Sequence, residues 1–192
     1  SLVNESSIHL GGIAGKSDWH STIDQRRATC TIRITEESHY EYWYIGGIVG
    51  SGFVATFSNC CFNGTLSINV DIKDVASGIY KVGGLAGDGG YESKYENCYV
   101  SGVITDSSPS LGGAWGASDA PGCEFTACYY PAGTLDPFVL NKPSEEKGYT
   151  AVPLASMASK ATFPEYDFSS VWTMGQSYPI QKVFTHLSNG SS

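Results

Sequence analysis

The strongest constraint in this sequence is an internal repeat. Residues 82–102 read VGGLAGDGGYESKYENCYVSG: a Gly-Gly-Leu-Ala-Gly strand, a short polar turn, then Asn-Cys-Tyr-x-x-Gly. The same order stands upstream at residues 45–64, IGGIVGSGFVATFSNCCFNG. Two diluted copies flank these, LGGIAG at 10–15 leading to Cys30 and LGGAWG at 111–116 leading to Cys128. The second glycines, Gly12, Gly47, Gly84 and Gly113, are 35, 37 and 29 positions apart. Self-similarity at such a period marks an architecture of stacked units, none of which can bury its apolar side alone.

Within each unit the pattern is that of strands. Cys30, Ile32 and Ile34 alternate with polar residues, as do Leu66, Ile68, Val70 and Ile72, which is the period of a half-buried strand. Glycines inside the repeat strand leave room for another backbone to approach closely. Cys30, Cys60, Cys98 and Cys128 fall at matching places, which suits a row of buried thiols better than a disulfide framework. Cys61 and Cys123 stand outside that row, and a pairing of Cys123 with Cys128 or Cys98 is left open. The expected fold is all-β: a short right-handed parallel β-helix (β-solenoid) of about three to four coils, occupying residues 1–149. Residues 150–192 form a capping segment and tail, with one short helix at 153–160. The aromatic group containing Phe168 and Trp172 is expected to cover one open end of the stack, since uncovered edges pair with other chains. Nothing comparable precedes Leu10, so the chain reads as part of a longer protein.

Composition narrows the partners. The 192 residues carry a net charge of −8, with nine acidic residues between 51 and 140 against Lys73, Lys81 and Lys94. No basic stripe exists to meet nucleic acid, and no apolar run approaches the roughly 18 residues needed to cross a bilayer. A leader peptide is expected to have been removed or to lie outside this sequence. No cysteine or histidine spacing suits zinc.

The GG[IL]xG strand followed by NC(Y/F)xxG resembles the GLUG-motif repeats of secreted and surface-attached bacterial proteins. Residues 150–183 look like the tail that often closes such arrays, with Pro153-Leu154, Met157, Phe163, Asp167-Phe168, Trp172, Gly175 and Tyr178-Pro179-Ile180. The resemblance implies a non-catalytic module, secreted or on the cell surface, joined to other domains of one large polypeptide, adhesins and immunoglobulin-A-protease-like peptidases among them. It implies no catalytic residue, because the motif is structural.

Candidate sites lie in the loops. Tyr40, Tyr42, Trp43 and Tyr44 cluster before the second copy, with Tyr91 and Tyr95 in the equivalent turn of the third. Exposed, they would form a stacking platform for a glycan or a host glycoprotein; the competing expectation is that Trp43 and Tyr44 fold under a loop as a small core. Asp88, Glu92 and Glu96 share one turn region and could supply oxygen ligands to Ca²⁺, although no EF-hand spacing is present. The alternative class is a polysaccharide-degrading enzyme, which needs two carboxylates about 5 to 9.5 Å apart. The residues following each repeat strand, Lys16, Ser51, Asp88 and Ala117, make no carboxylate row. Asp18 and Asp119 match each other but belong to distant copies.

Overall fold

The computed structural model describes residues 7–35, 42–68, 79–106, 117–119, 122–133 and 148–187. Each repeat folds as a succession of short strands. The first contributes β1 (Ser7–Gly11), β2 (Ala14–Lys16), β3 (Thr22–Asp24), β4 (Arg27–Ala28) and β5 (Thr31–Ile34). The second contributes β6 (Tyr42–Gly46), β7 (Val49–Ser51), β8 (Thr56–Ser58), β9 (Cys61–Phe62) and β10 (Thr65–Ile68). In the third are β11 (Ile79–Gly83), β12 (Ala86–Asp88), β13 (Lys94–Glu96), β14 (Tyr99–Val100) and β15 (Val103–Asp106). The fourth holds β16 (Ala117–Asp119), β17 (Glu124–Thr126) and β18 (Cys128–Pro131), followed by β19 (Tyr149–Val152), β20 (Trp172–Met174) and β21 (Pro179–Gln181).

No strand of a repeat pairs with its own neighbour in sequence. Every one pairs in parallel with its equivalent one repeat away, giving the sheets β1-β6-β11, β16-β12-β7-β2, β17-β13-β8-β3, β19-β18-β14-β9-β4 and β15-β10-β5. The chain is thus all-β and dominated by parallel sheets. The pairing is in strict register: Leu10 opposes Ile45, which opposes Val82, and Ile32 opposes Leu66, which opposes Ile104.

That register converts sequence periodicity into columns of like side chains. Phe57, Tyr95 and Phe125 stack at centroid separations of 4.8 and 5.1 Å, inclined by 9° and 17°. Beside them runs a column of thiols. Cys60 donates to the Ile23 carbonyl at 3.4 Å, Cys98 to the Phe57 carbonyl at 3.5 Å and Cys128 to the Tyr95 carbonyl at 3.4 Å. Each sulfhydryl bonds the preceding repeat, and burial pushes the Cys98 thiol well above its usual range.

Cys30 does not belong to that column. Arg27 opposes Cys61, so Arg26 occupies the first repeat's thiol position, and Cys30 aligns with Gly64, whose Cβ would meet the Cys30 carbonyl at 2.1 Å. The matching element is the backbone bend before the thiol position. Gln25, Asn59, Asn97 and Ala127 all take φ between 49° and 51°, a left-handed turn that asparagine tolerates best after glycine. All six cysteines are free and only Cys30 is exposed. A thiol reagent should therefore modify one cysteine in the native protein and six after unfolding; four in the unfolded protein would indicate the disulfide that the spacing left open.

The fourth repeat also departs from the glycine spacing. Ala86 opposes Ala117 and Asp88 opposes Asp119, an offset of 31 positions where Gly84 to Gly113 spans 29. Asp119 thus falls in one row with Lys16, Ser51 and Asp88, instead of matching Asp18, and Ala117 does not close that row. Gly113 lies outside the described residues.

The segment from Pro153 onward contains three 3-10 turns, Leu154–Ala158, Lys160–Thr162 and Lys182–Leu187, and no α-helix among the described residues. The first of these has no side-chain N-cap and no acidic residue in its first turn, the two features that satisfy and stabilise the exposed N–H groups of a longer helix. The described part of the segment packs along the repeats, while β19 just before it pairs with β18 of the fourth repeat. Trp172, Phe163, Tyr166 and Met157 pack on Cys61, Tyr99 and Tyr129, the outward-facing residues of three successive repeats. Gln181 donates to the Arg26 and Asn59 carbonyls, Tyr99 to the Pro179 carbonyl at 2.5 Å and Tyr129 to Glu165 at 2.5 Å. The strap therefore touches all four repeats.

Candidate functional site

The glycine motif builds a cleft. After β6 the chain bends so sharply at Gly46-Gly47 that β7 returns against the outer face of the β1-β6-β11 sheet. A Cβ on Gly46 would stand 1.9 Å from the Val49 carbonyl oxygen and 2.8 Å from the Ala86 Cα. From the opposite wall, a Cβ on Gly50 would stand 2.7 Å from the Leu10 nitrogen, and one on Gly87 2.3 Å from the Ile45 nitrogen. Gly47 faces the other way, into the core, where a Cβ would meet the Phe62 ring at 2.3 Å. Two sheets thus meet backbone to backbone along a seam without side chains.

Where the seam opens, its two walls carry polar residues in register. His9, Tyr44 and Lys81 share a row on β1-β6-β11, and Lys16, Ser51 and Asp88 share a row on β2-β7-β12. Two contacts cross between them. Ser51 Oγ lies 2.8 Å from His9 Nδ1, and Lys81 Nζ lies 2.7 Å from Asp88 Oδ2. Tyr44 is held from both sides, stacked on His9 at 4.7 Å with Lys81 Nζ 5.6 Å from its centroid. Partial burial and then the Lys16 ammonium pull the His9 imidazole below its usual range, against an opposing pull from Asp88. The shift favours the neutral imidazole.

These rows line a groove of about 540 Å³, whose other edge is Phe53 and Tyr91. Phe53 lies in a surface column of aromatics, with Trp19 5.1 Å away in the preceding repeat and Tyr91 6.4 Å away in the next. Trp19 is 65% exposed and Tyr91 51%, and the Tyr91 hydroxyl is engaged by Glu92. The column stands just before a second left-handed bend, at His20, Val54 and Glu92 with φ of 57°, 48° and 53°, repeated at Gly122. Val54 donates its N–H to the Tyr91 carbonyl at 2.9 Å, so the bend that aims each ring outward is tied to the next.

The expected aromatic platform is thus redistributed. Tyr42 and Tyr44 are half-buried and line the groove with parallel rings 6.5 Å apart, and Tyr91 is on its rim. Trp43 and Tyr95 point the opposite way, into the core at 5% and 1% exposure, because strand alternation turns them from their outward neighbours. The Tyr95 hydroxyl is satisfied internally by the Gly89 carbonyl at 3.0 Å. Tyr40 lies outside the described residues. Trp19, Phe53, His9, Ser51 and Lys81 were not legible as site residues: the column uses three different residue types, and only the strand register aligns them.

The Ca²⁺ candidates do not converge. Asp88 accepts from Lys81 and from the Gly90 N–H at 2.9 Å, while Glu96 flanks buried Tyr95 on β13 and faces solvent. Among the described residues no group of three histidine, cysteine, aspartate or glutamate side chains is placed to hold a metal ion, and no helix is long and apolar enough to cross a membrane. No protein-family model, curated protein or solved structure matches this chain.

Proposed function

We propose that this chain is a short right-handed parallel β-solenoid module of a larger bacterial surface protein, of the GLUG-repeat kind, and that it binds a glycan or host glycoprotein without cleaving it. The solenoid reading is supported by the pairing of every repeat strand with its equivalent one repeat away. The binding reading is carried by one observation: Phe53 and Tyr91 of the surface column Trp19–Phe53–Tyr91 edge a groove that is also lined by the Tyr42 and Tyr44 rings and by the polar residues His9, Lys16, Ser51, Lys81 and Asp88. Saccharides present apolar ring faces and hydroxyl edges, and such a surface answers both.

Binding without cleavage is supported by the state of the groove's carboxylate. Asp88 is occupied by Lys81 and by a backbone N–H, whereas a general acid or nucleophile must be free to exchange a proton or attack. Ser51 meets a histidine but is 8% exposed, with little room for an acyl acceptor.

A glycan array probed with the wild-type protein should give bound spots. Trp19→Ala should weaken that binding about 30-fold, the expectation for an aromatic hot spot. Because Trp19 is mostly exposed, the melting temperature should stay within about 2 °C of wild type. An empty array together with an empty pull-down of host glycoproteins would leave only a spacer role.

A further inference from the structure

The groove's chemistry narrows the ligand class, and this step rests on the glycan reading above. We propose that the mouth of the cleft selects a carboxylate-bearing saccharide, with its carboxylate at Lys16 and its ring against Tyr42 and Tyr44. The chain carries a net charge of −8, so its average surface repels anions. The groove is an exception: its lining holds two lysines against a single carboxylate, Asp88. Asp88 is committed to Lys81 across the cleft at 2.7 Å, with both side chains about four-fifths buried at 18% and 20% exposure. Lys16 is differently placed. Its ion pair to Asp18 is long at 3.6 Å and has both side chains more than half exposed, so an incoming carboxylate can exchange with it. The positive character of Lys16 is felt inside the groove already, since it is one of the causes that lower the His9 pKa.

The hydroxyl of Tyr42 and that of Ser7, which lies 3.1 Å from His9 Nε2, can both donate and accept along the rim, which suits ring hydroxyls. Among the described residues the groove's apolar lining is mainly ring faces, Tyr42 parallel to Tyr44 within 5°. A saccharide acid matches that mixture better than an acidic peptide. The electrostatic part of such binding falls with ionic strength.

The test is calorimetric titration of the whole chain with oligogalacturonate, alginate and hyaluronan oligosaccharides and sialyllactose, each beside its carboxyl-reduced counterpart, with tetraglutamate as the peptide probe. Two variants accompany the wild type, Lys16→Met in the groove and Lys94→Met outside it, where Lys94 pairs with Glu124 at 3.1 Å. The expected result is that an acidic sugar binds at least tenfold tighter than its reduced form. Binding should weaken between 20 and 200 mM salt (a roughly threefold shortening of the screening length), fall about tenfold in Lys16→Met, and stay unchanged in Lys94→Met. Equal binding of the reduced sugars would overturn the acid selectivity and leave the glycan reading standing. Tetraglutamate binding as tightly as the sugars would overturn the saccharide class. No binding by any sugar of the panel would overturn both.

Discussion

Gly46→Ala should prevent the protein from folding, or cost about 3 kcal/mol or more if a folded form survives. Inserting a methylene into a packed interior typically costs about 1 to 3 kcal/mol, because side chains must leave their rotamers to make room. At Gly46 the atoms in the way are backbone: the Val49 carbonyl at 1.9 Å, the Ala86 Cα at 2.8 Å and the Gly87 nitrogen at 2.8 Å. None can move without separating two sheets. The same approach recurs at Gly11, Gly50 and Gly87, so the strain would spread along the seam instead of relaxing at one rung. Gly52→Ala is the matched control. Its nearest contacts are the Gly89 carbonyl and the edge of the Phe57 ring at 3.3 Å, a gap that a small shift accommodates, and its cost should stay within about 1 kcal/mol. Urea denaturation of the two variants measures the difference. Equal losses would mean that the glycine motif is not there for close approach.

That motif shows how far the sequence could be read. Glycines inside an otherwise apolar strand announce a backbone neighbour, and the alternation at Ile45, Leu66 and Ile68 announces an interior. Both follow from local sterics and burial, so both are visible in one chain. Register is different, because it is fixed by hydrogen bonds between segments roughly thirty-five positions apart. Cys30 looked like a member of the thiol column because it is a cysteine; the bend at Gln25, with the same φ as Asn59 and Asn97, puts Arg26 there instead. The offset change in the fourth repeat, which moves Asp119 into the Asp88 row, likewise leaves no mark on residue type. The site followed the same logic. Tyr91 was found because it is a tyrosine in a polar turn, but its partners in the column are a tryptophan and a phenylalanine, equivalent by position and not by identity. Tyr95 was misassigned for the converse reason: a tyrosine between Lys94 and Glu96 reads as surface, until strand alternation assigns those charges to one face and the ring to the other.

Trp172→Ala tests the other large contribution, the strap. Trp172 is fully buried, stacks on Tyr166 at 4.8 Å and meets Tyr99 at 5.9 Å, and truncating a buried tryptophan costs about 3 to 5 kcal/mol. The loss here has a polar component too. The indole N–H donates to Asn59 Oδ1 at 3.3 Å, and Asn59 also donates to Asp24 Oδ1 at 2.9 Å. Partial burial pushes the Asp24 carboxyl up, but bonds from Asn59, Ser58 and Gln25 outweigh it and hold the carboxyl below its usual range. Removing the tryptophan therefore loosens the residue that joins strap, left-handed bend and first repeat. The strap buries only outward-facing residues, whereas the interior columns Phe57–Tyr95–Phe125 and Cys60–Cys98–Cys128 lie in a separate cluster. Loss of the strap should consequently come before loss of the stack. Cys61 reports which has happened. Burial, opposed by hydrogen bonds from Tyr99 and Gln181, pushes its thiol up to about 12, so in the native protein it should not react. In Trp172→Ala, below the main unfolding transition, Cys61 should become the second thiol to react after Cys30, while Cys60, Cys98 and Cys128 stay protected. Simultaneous labelling of all of them would mean that the strap and the repeats form one cooperative unit; labelling of Cys30 alone would mean that the strap stays docked without its tryptophan.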